Sequence, residues 1–378
     1  YSIYEINIKP GINFQPHPAF VRQENGAFQY HALNKADLAK INTLADFELT
    51  ASRELTAADY IYQIKRLAHP EIHSPILSLM AEHIVGLKQF AEKLQQQNKI
   101  TDEIDLTLFD IDGVKLIDRY RYQIKVKGKY PQLNYWLAMP FFAPMPWEAD
   151  MFYQQQGLQD KNISLDWYPV GTGPYYLTKN DPNRQMVLER NPNFHGERYP
   201  SEGEAIDDSN GLLVDAGLAI PFIDKIVFSL EKENTSYWNK FLQGYYDVSG
   251  INSDSFDQAI QVASSGEFGL SASMADKNIE LRTAIATSTS YIGFNMLDEV
   301  VGGYTEQAKK LRQAISIAID YEEYISIFAN GRGIAAQGPI PPGIFGHLDG
   351  QQGMNPYVYQ WRNGAAQRLS LDYAKQLL

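Results

Sequence analysis

Period-two alternation opens the chain: Tyr4, Ile6 and Ile8 take turns with polar neighbours and predict a strand. A longer alternation runs from Arg119 to Lys127. Tyr120, Tyr122, Ile124 and Val126 share one face, and Arg119, Arg121, Gln123, Lys125 and Lys127 share the other. Met186-Val187-Leu188 and Ile226-Val227-Phe228 are shorter strand candidates. Helical spacing takes over elsewhere. Thr56-Ala57-Ala58-Asp59 has capping-box spacing, with Ile61, Ile64, Leu67 and Ala68 following on one face. Ser74-Pro75 predicts the start of a second helix whose buried stripe is Leu77, Met80, Ile84, Leu87, Ala91 and Leu94. Leu311, Ile315 and Ala318 mark a third helix. A fresh cap at Asp320, with Glu323 three residues on, then leads through Ile325 and Phe328 to a stop at Gly331. Residues 371–378 read as helix, and the Gly-, Asp-, Glu- and Ser-rich stretch from Gly196 to Pro221 as a long surface loop. Strands and helices interleave without strict alternation, which predicts a mixed α/β or α+β fold.

Composition narrows the function. At roughly 150 residues per domain, 378 residues suggest two or three domains. Lys and Arg number 33 against 45 Asp and Glu, a net charge of −12 that repels phosphate backbones, so nucleic acid is not an expected partner. Without cysteine there is no disulfide, thiolate zinc site or Cys nucleophile. No apolar run approaches the ~20 residues of a membrane helix. The 24 Tyr, 18 Phe and 5 Trp suit a binding cleft, because a tyrosine joins a flat apolar face to a hydrogen-bonding hydroxyl. No signal segment precedes Tyr1; the chain opens in a strand-like stretch and closes in a helix-like one, as a piece of a longer protein would.

Leu108-Phe109-Asp110-Ile111-Asp112-Gly113-Val114 resembles the nucleophile loop of haloacid-dehalogenase-like phosphatases. There Asp110 would attack phosphorus, Asp112 would act as acid and base, and Mg2+ would bridge them, with Asp207-Asp208 as distal ligands. That loop must lead into a helix, whereas the strand alternation of 119–127 follows here, so an Asp-Gly hairpin turn is the expected reading. His69, His73 and His83 are the sole histidine cluster, but Pro70 breaks their register and no acidic group completes a metal set. Gly171-Thr172-Gly173-Pro174 is a poor phosphate cradle, since Pro174 lacks an N–H and no helix follows. No catalytic residue, metal or cofactor is expected.

Read in order, a series of segments resembles extracellular solute-binding protein family 5, the dipeptide- and oligopeptide-binding proteins of peptide/nickel-type ABC importers. They begin with Tyr4-Glu5-Ile6-Asn7-Ile8-Lys9-Pro10-Gly11 and Leu55-Thr56-Ala57-Ala58-Asp59-Tyr60. The most specific are Gly171-Thr172-Gly173-Pro174-Tyr175 and Leu188-Glu189-Arg190-Asn191-Pro192-Asn193-Phe194. Ile223-Asp224-Lys225-Ile226-Val227-Phe228, Gly293-Phe294-Asn295 and Leu311-Arg312-Gln313-Ala314-Ile315 continue the order. The resemblance implies a two-lobed, type II periplasmic-binding-protein-like clamp, present in part: residues 1–250 for the first lobe and 251–378 for the second. It implies peptide capture by hinge closure and delivery to an ABC permease in the inner membrane. The protein would be a bacterial monomer, periplasmic or extracellular, with a lipid anchor. Ligand contacts are expected at Tyr291 and Asn295 in the second lobe and Phe141 and Phe142 in the first, with Arg312 in a structural ion pair and the peptide-terminus anchor beyond Leu378. The same clamp holding a metal chelate or an oligosaccharide is the alternative.

Overall fold

The computed structural model describes residues 1–101, 104–262 and 268–378. The chain divides into two compact units, Tyr1–Leu230 and Glu231–Leu378. The break falls after Leu230, ahead of the expected boundary at 250, so helix Asn234–Leu242 goes with the second unit.

In the first unit, β1 (Ser2–Asn7), β2 (Val114–Asp118) and β3 (Arg121–Val126) form an antiparallel sheet in the order β1-β3-β2. Tyr122, Ile124 and Val126 are buried while Arg121 faces water, as the alternation predicts. Helix Ala57–Arg66 covers this sheet with Ile61 and Ile64, and Leu67 and Ala68 continue the buried face. Each isoleucine or leucine so removed from water contributes about 1.5–3 kcal/mol. The helix starts where its capping box predicts: the Thr56 N–H and hydroxyl both donate to the Asp59 carboxylate, at 2.8 and 3.0 Å.

Two helices, Leu77–His83 and Leu87–Asn98, carry the stripe that predicted one. Between them the backbone turns aside to the end of β3. Val85 N–H donates to the Lys125 carbonyl at 3.0 Å, and Lys127 N–H donates to the His83 carbonyl at 2.9 Å. Gly86, at φ +80°, makes the turn without the strain an L side chain would carry there. Asp112-Gly113 also departs from expectation. It precedes β2 instead of closing a hairpin, and the β2–β3 turn lies at Arg119-Tyr120. Gly113 N–H donates to the Val85 carbonyl at 2.9 Å, an approach so close that a Cβ on Gly113 would stand 2.4 Å from that oxygen.

A second antiparallel sheet joins β4 (Tyr175–Asp181), β5 (Gln185–Arg190) and β6 (Lys225–Ser229) in that order. The Gly171–Pro174 turn ahead of it is knitted to residues 13–15. Gln15 N–H donates to the Gly171 carbonyl at 2.9 Å, and Gly171 N–H donates to Gln15 Oε1 at 3.0 Å. Asn191 Nδ2 donates to the Gly173 carbonyl and Asn193 Nδ2 to the Phe14 carbonyl. The glycines therefore serve a structural turn. Residues 196–221 are largely exposed and hold one short helix, Ala205–Ser209, that the loop reading omitted.

Among its described residues the second unit has two small cores. Trp238 packs with Phe256, Ala259, Ile260 and Met274, beside a hairpin of β7 (Ile260–Val262) and β8 (Phe268–Leu270). Helix Glu306–Ala318 packs on helix Leu371–Leu377 and on the hairpin of β9 (Tyr359–Arg362) and β10 (Ala365–Arg368). Its buried positions are Ala308, Ala314 and Ile317; of the expected stripe, Leu311 and Ile315 are half-buried and Ala318 is exposed. Asp320 accepts the Glu323 N–H at 2.9 Å, and Gly331, at φ +73°, ends helix Tyr321–Phe328 as predicted. No helix among the described residues is long and apolar enough to cross a membrane.

Candidate ligand-contact residues

Phe141 and Phe142 lie on a short 3-10 turn, Pro140–Phe142, that Pro140 pre-sets. The turn is tied to helix Ala57–Arg66 twice: Gln63 Nε2 donates to the Phe141 carbonyl at 2.8 Å, and Met145 N–H donates to the Asp59 carbonyl at 3.1 Å. The two rings then diverge. Phe142 is 3% exposed and belongs to the first unit's core, whereas Phe141 is half-buried at its margin.

Tyr291 and Asn295 stand on the second unit. Tyr291 is 85% exposed on an extended stretch, 282–294, that makes no backbone–backbone hydrogen bond among the described residues. Asn295 opens a tight loop. Its Oδ1 accepts the Leu297 N–H at 3.1 Å, and its carbonyl accepts the Asp298 N–H at 3.1 Å. Asp298 Oδ1 accepts the Val300 and Val301 N–H groups, and those bonds hold its carboxyl below the ordinary carboxylate range. Gly303 N–H closes the loop onto the Met296 carbonyl at 2.9 Å. Where an ion pair was expected, Arg312 donates to the Val301 carbonyl at 2.6 Å, and it pairs with no carboxylate among the described residues. Sequence reasoning missed this clamp, because nothing in the spacing of Val301 and Arg312 announces a side chain-to-backbone contact.

The remaining candidates do not assemble a reactive centre. Asp110 is 99% exposed on its side chain and sits 3.5 Å from Lys65 Nζ. Asp112 lies in a turn against Gly86, and the chain runs on into antiparallel β2, not into a helix. His83 stacks on Tyr130 and His69 Nδ1 accepts the Glu71 N–H at 3.3 Å. No group of three or more metal-ligating side chains occurs among the described residues. Concavities open on the first unit among the described residues. One of about 460 Å3 is lined by Gln15, Gly171, Tyr175, Met186, Leu188 and Phe228. Another of about 370 Å3 is lined by Asp150, Tyr153, Gln159, Asp166 and Trp167. Neither includes Phe141 or Phe142.

The sequence profile of the bacterial extracellular solute-binding proteins, family 5, matches residues 52–378. The chain belongs to this family. Its fold is that of the type II periplasmic-binding-protein-like peptide binders. The oligopeptide-binding protein AppA of Bacillus subtilis, solved with a nonapeptide, superposes with a TM-score of 0.53 at 16% identity, over 99% of this chain and 51% of its own. The periplasmic binding protein DppA of Helicobacter pylori, solved with the peptide STSA, gives 0.52 at 15%, over 99% and 53%. In sequence, heme-binding protein A of Haemophilus influenzae is 22% identical over 307 residues, 80% of this chain and 44% of that protein. The periplasmic oligopeptide-binding protein OppA of Salmonella typhimurium is 28% identical over 141 residues, 37% and 23%. The family 5 chain thus spans less than half the length of these curated relatives. Proteins of this family are extracellular solute-binding proteins.

Proposed function

We propose that the whole protein is the substrate-binding component of an ABC importer, capturing peptides by hinge closure between two lobes. Contacts to both lobes would favour the closed state by the ligand's differential affinity for it. An extended peptide would take ring contact from Tyr291 and Phe141 and a hydrogen bond from Asn295 Nδ2, whose paired Oδ1 sets the carboxamide's direction. Phe142, buried beneath Phe141's turn, would position that turn. Membership in family 5 over residues 52–378 carries the reading, and the likeness to folds solved with bound peptides supports it. A monomer in the periplasm or outside the cell, lipid-anchored and docking on an inner-membrane permease, completes the proposal.

A metal chelate is the second reading, favoured by the relative named for heme binding. Mass spectrometry of the ligand that co-purifies with the protein tests both. Peptides are expected; a chelate alone would overturn the first reading in favour of the second.

A further inference from the structure

A row of rings runs along the first unit beside Phe141. His83 and Tyr130 stack with centroids 3.7 Å apart and planes 15° apart. Trp136 Nε1 donates to the Tyr130 hydroxyl at 2.9 Å, and the Trp136 ring lies 6.4 Å from Phe141. The row is fixed from behind: the Tyr4 hydroxyl donates to the Tyr130 carbonyl at 2.7 Å, as Gln63 does to that of Phe141. Helix Leu133–Leu137 presents Tyr135, 77% exposed, at its side. Rings held this way lose little freedom when another ring packs on them.

Charge lies at the head of the row. Lys127 and Lys129 are exposed, and neither pairs with a carboxylate among the described residues, in a protein of net charge −12. The Lys127 N–H donates to the His83 carbonyl, and Lys129 precedes Tyr130 in the chain, so both begin where the rings begin. Exposed lysines whose backbones adjoin stacked rings suit a flat aromatic group that carries a carboxylate.

We propose that the row His83, Tyr130, Trp136 and Phe141, headed by Lys127 and Lys129, selects ligands with an aromatic ring next to a carboxylate, such as a peptide ending in an aromatic residue. The proposal rests on the peptide-capture reading and adds a ligand class to it. Calorimetry on the purified protein with Ala-Ala-Phe, Ala-Ala-Ala and the amide of Ala-Ala-Phe tests it. Ala-Ala-Phe should bind roughly tenfold more tightly than Ala-Ala-Ala, and Trp136→Ala should shrink that ratio to about twofold with Ala-Ala-Ala unchanged. Lys129→Gln should weaken Ala-Ala-Phe by about threefold and leave its amide alone. Equal binding of the two acids overturns the proposal while the peptide reading stands. So does a ratio that survives Trp136→Ala or, should that variant not fold, the exposed Tyr135→Ala together with Lys129→Gln. If no tripeptide binds, the peptide reading falls instead. Protoporphyrin IX, a planar dicarboxylate, then separates the two: saturable binding lost in Trp136→Ala supports the surface, and its absence overturns that as well.

Discussion

Arg312 reaches from helix Glu306–Ala318 to the carbonyl oxygen of Val301 and holds the loop that begins at Asn295. Arg312→Ala should cost about 1–2 kcal/mol, the worth of one charged hydrogen bond on a half-buried carbonyl. Hydrogen exchange provides the check: the Val300, Val301 and Gly303 amides should exchange faster, with those of helix Tyr321–Phe328 unchanged.

Arg53 binds two acids at once. Its guanidinium lies 2.6 Å from Asp59 and 2.5 Å from Glu148, with Phe14 and Phe20 beneath it. Burial works against that charge, but hydrogen bonds to Asp59 and Glu148 outweigh it and raise the guanidinium pKa above its ordinary value. Arg53→Met would strand carboxylates that are 2% and 3% exposed, at a cost of about 3 kcal/mol. Denaturant titration should show this loss, and adding Glu148→Gln should recover part of it.

His17 is buried and neutral. Its Nδ1 accepts the Ala19 N–H, so Nε2 carries the proton and donates to the Tyr153 hydroxyl at 2.8 Å, which donates in turn to the Tyr168 carbonyl. Burial, reinforced by His31, lowers its pKa from 6.5 to about 3. The unfolded chain therefore takes up this proton first. The stabilisation is complete above pH 6.5 and declines as pH falls from there towards 3, by at most about 1.4 kcal/mol per pH unit. Urea midpoints between pH 6.5 and 5, above the main carboxylate range, should fall more steeply for the wild type than for His17→Gln.

Gly86→Ala should destabilise the first unit by about 2 kcal/mol, combining left-handed strain with a Cβ placed 2.9 Å from that of Asp112. A thermal melt measures it. An unchanged melting temperature would mean that the helix can run on past Gly86.

Tyr291→Ala should leave stability within about 0.5 kcal/mol, because the ring is mostly in water. In the whole protein it should weaken peptide binding by about tenfold. Calorimetry beside a melt distinguishes a ligand contact from a structural residue.

Local patterns settled a good part of this protein. Alternation placed β1 and β3, capping chemistry placed the starts at Thr56 and Asp320, and ordered motifs over nearly the whole length placed the family. Asn363-Gly364, with φ +52° and +79°, is also a strong hairpin signal, yet the β9–β10 hairpin was not among the predicted strands. Other features depended on distant chain. Gly86 breaks a continuous apolar stripe because β3 offers hydrogen bonds there, and a stripe reports which face is buried without reporting what lies against it. The same limit parts Phe141 from Phe142. The two are identical in side chain and adjacent in sequence, and the turn at Pro140 sends one into the core and leaves the other at its edge. Local chemistry determines period and caps, since those act within a few residues. Burial, and with it the surface left for a ligand, is decided by packing between segments far apart in sequence.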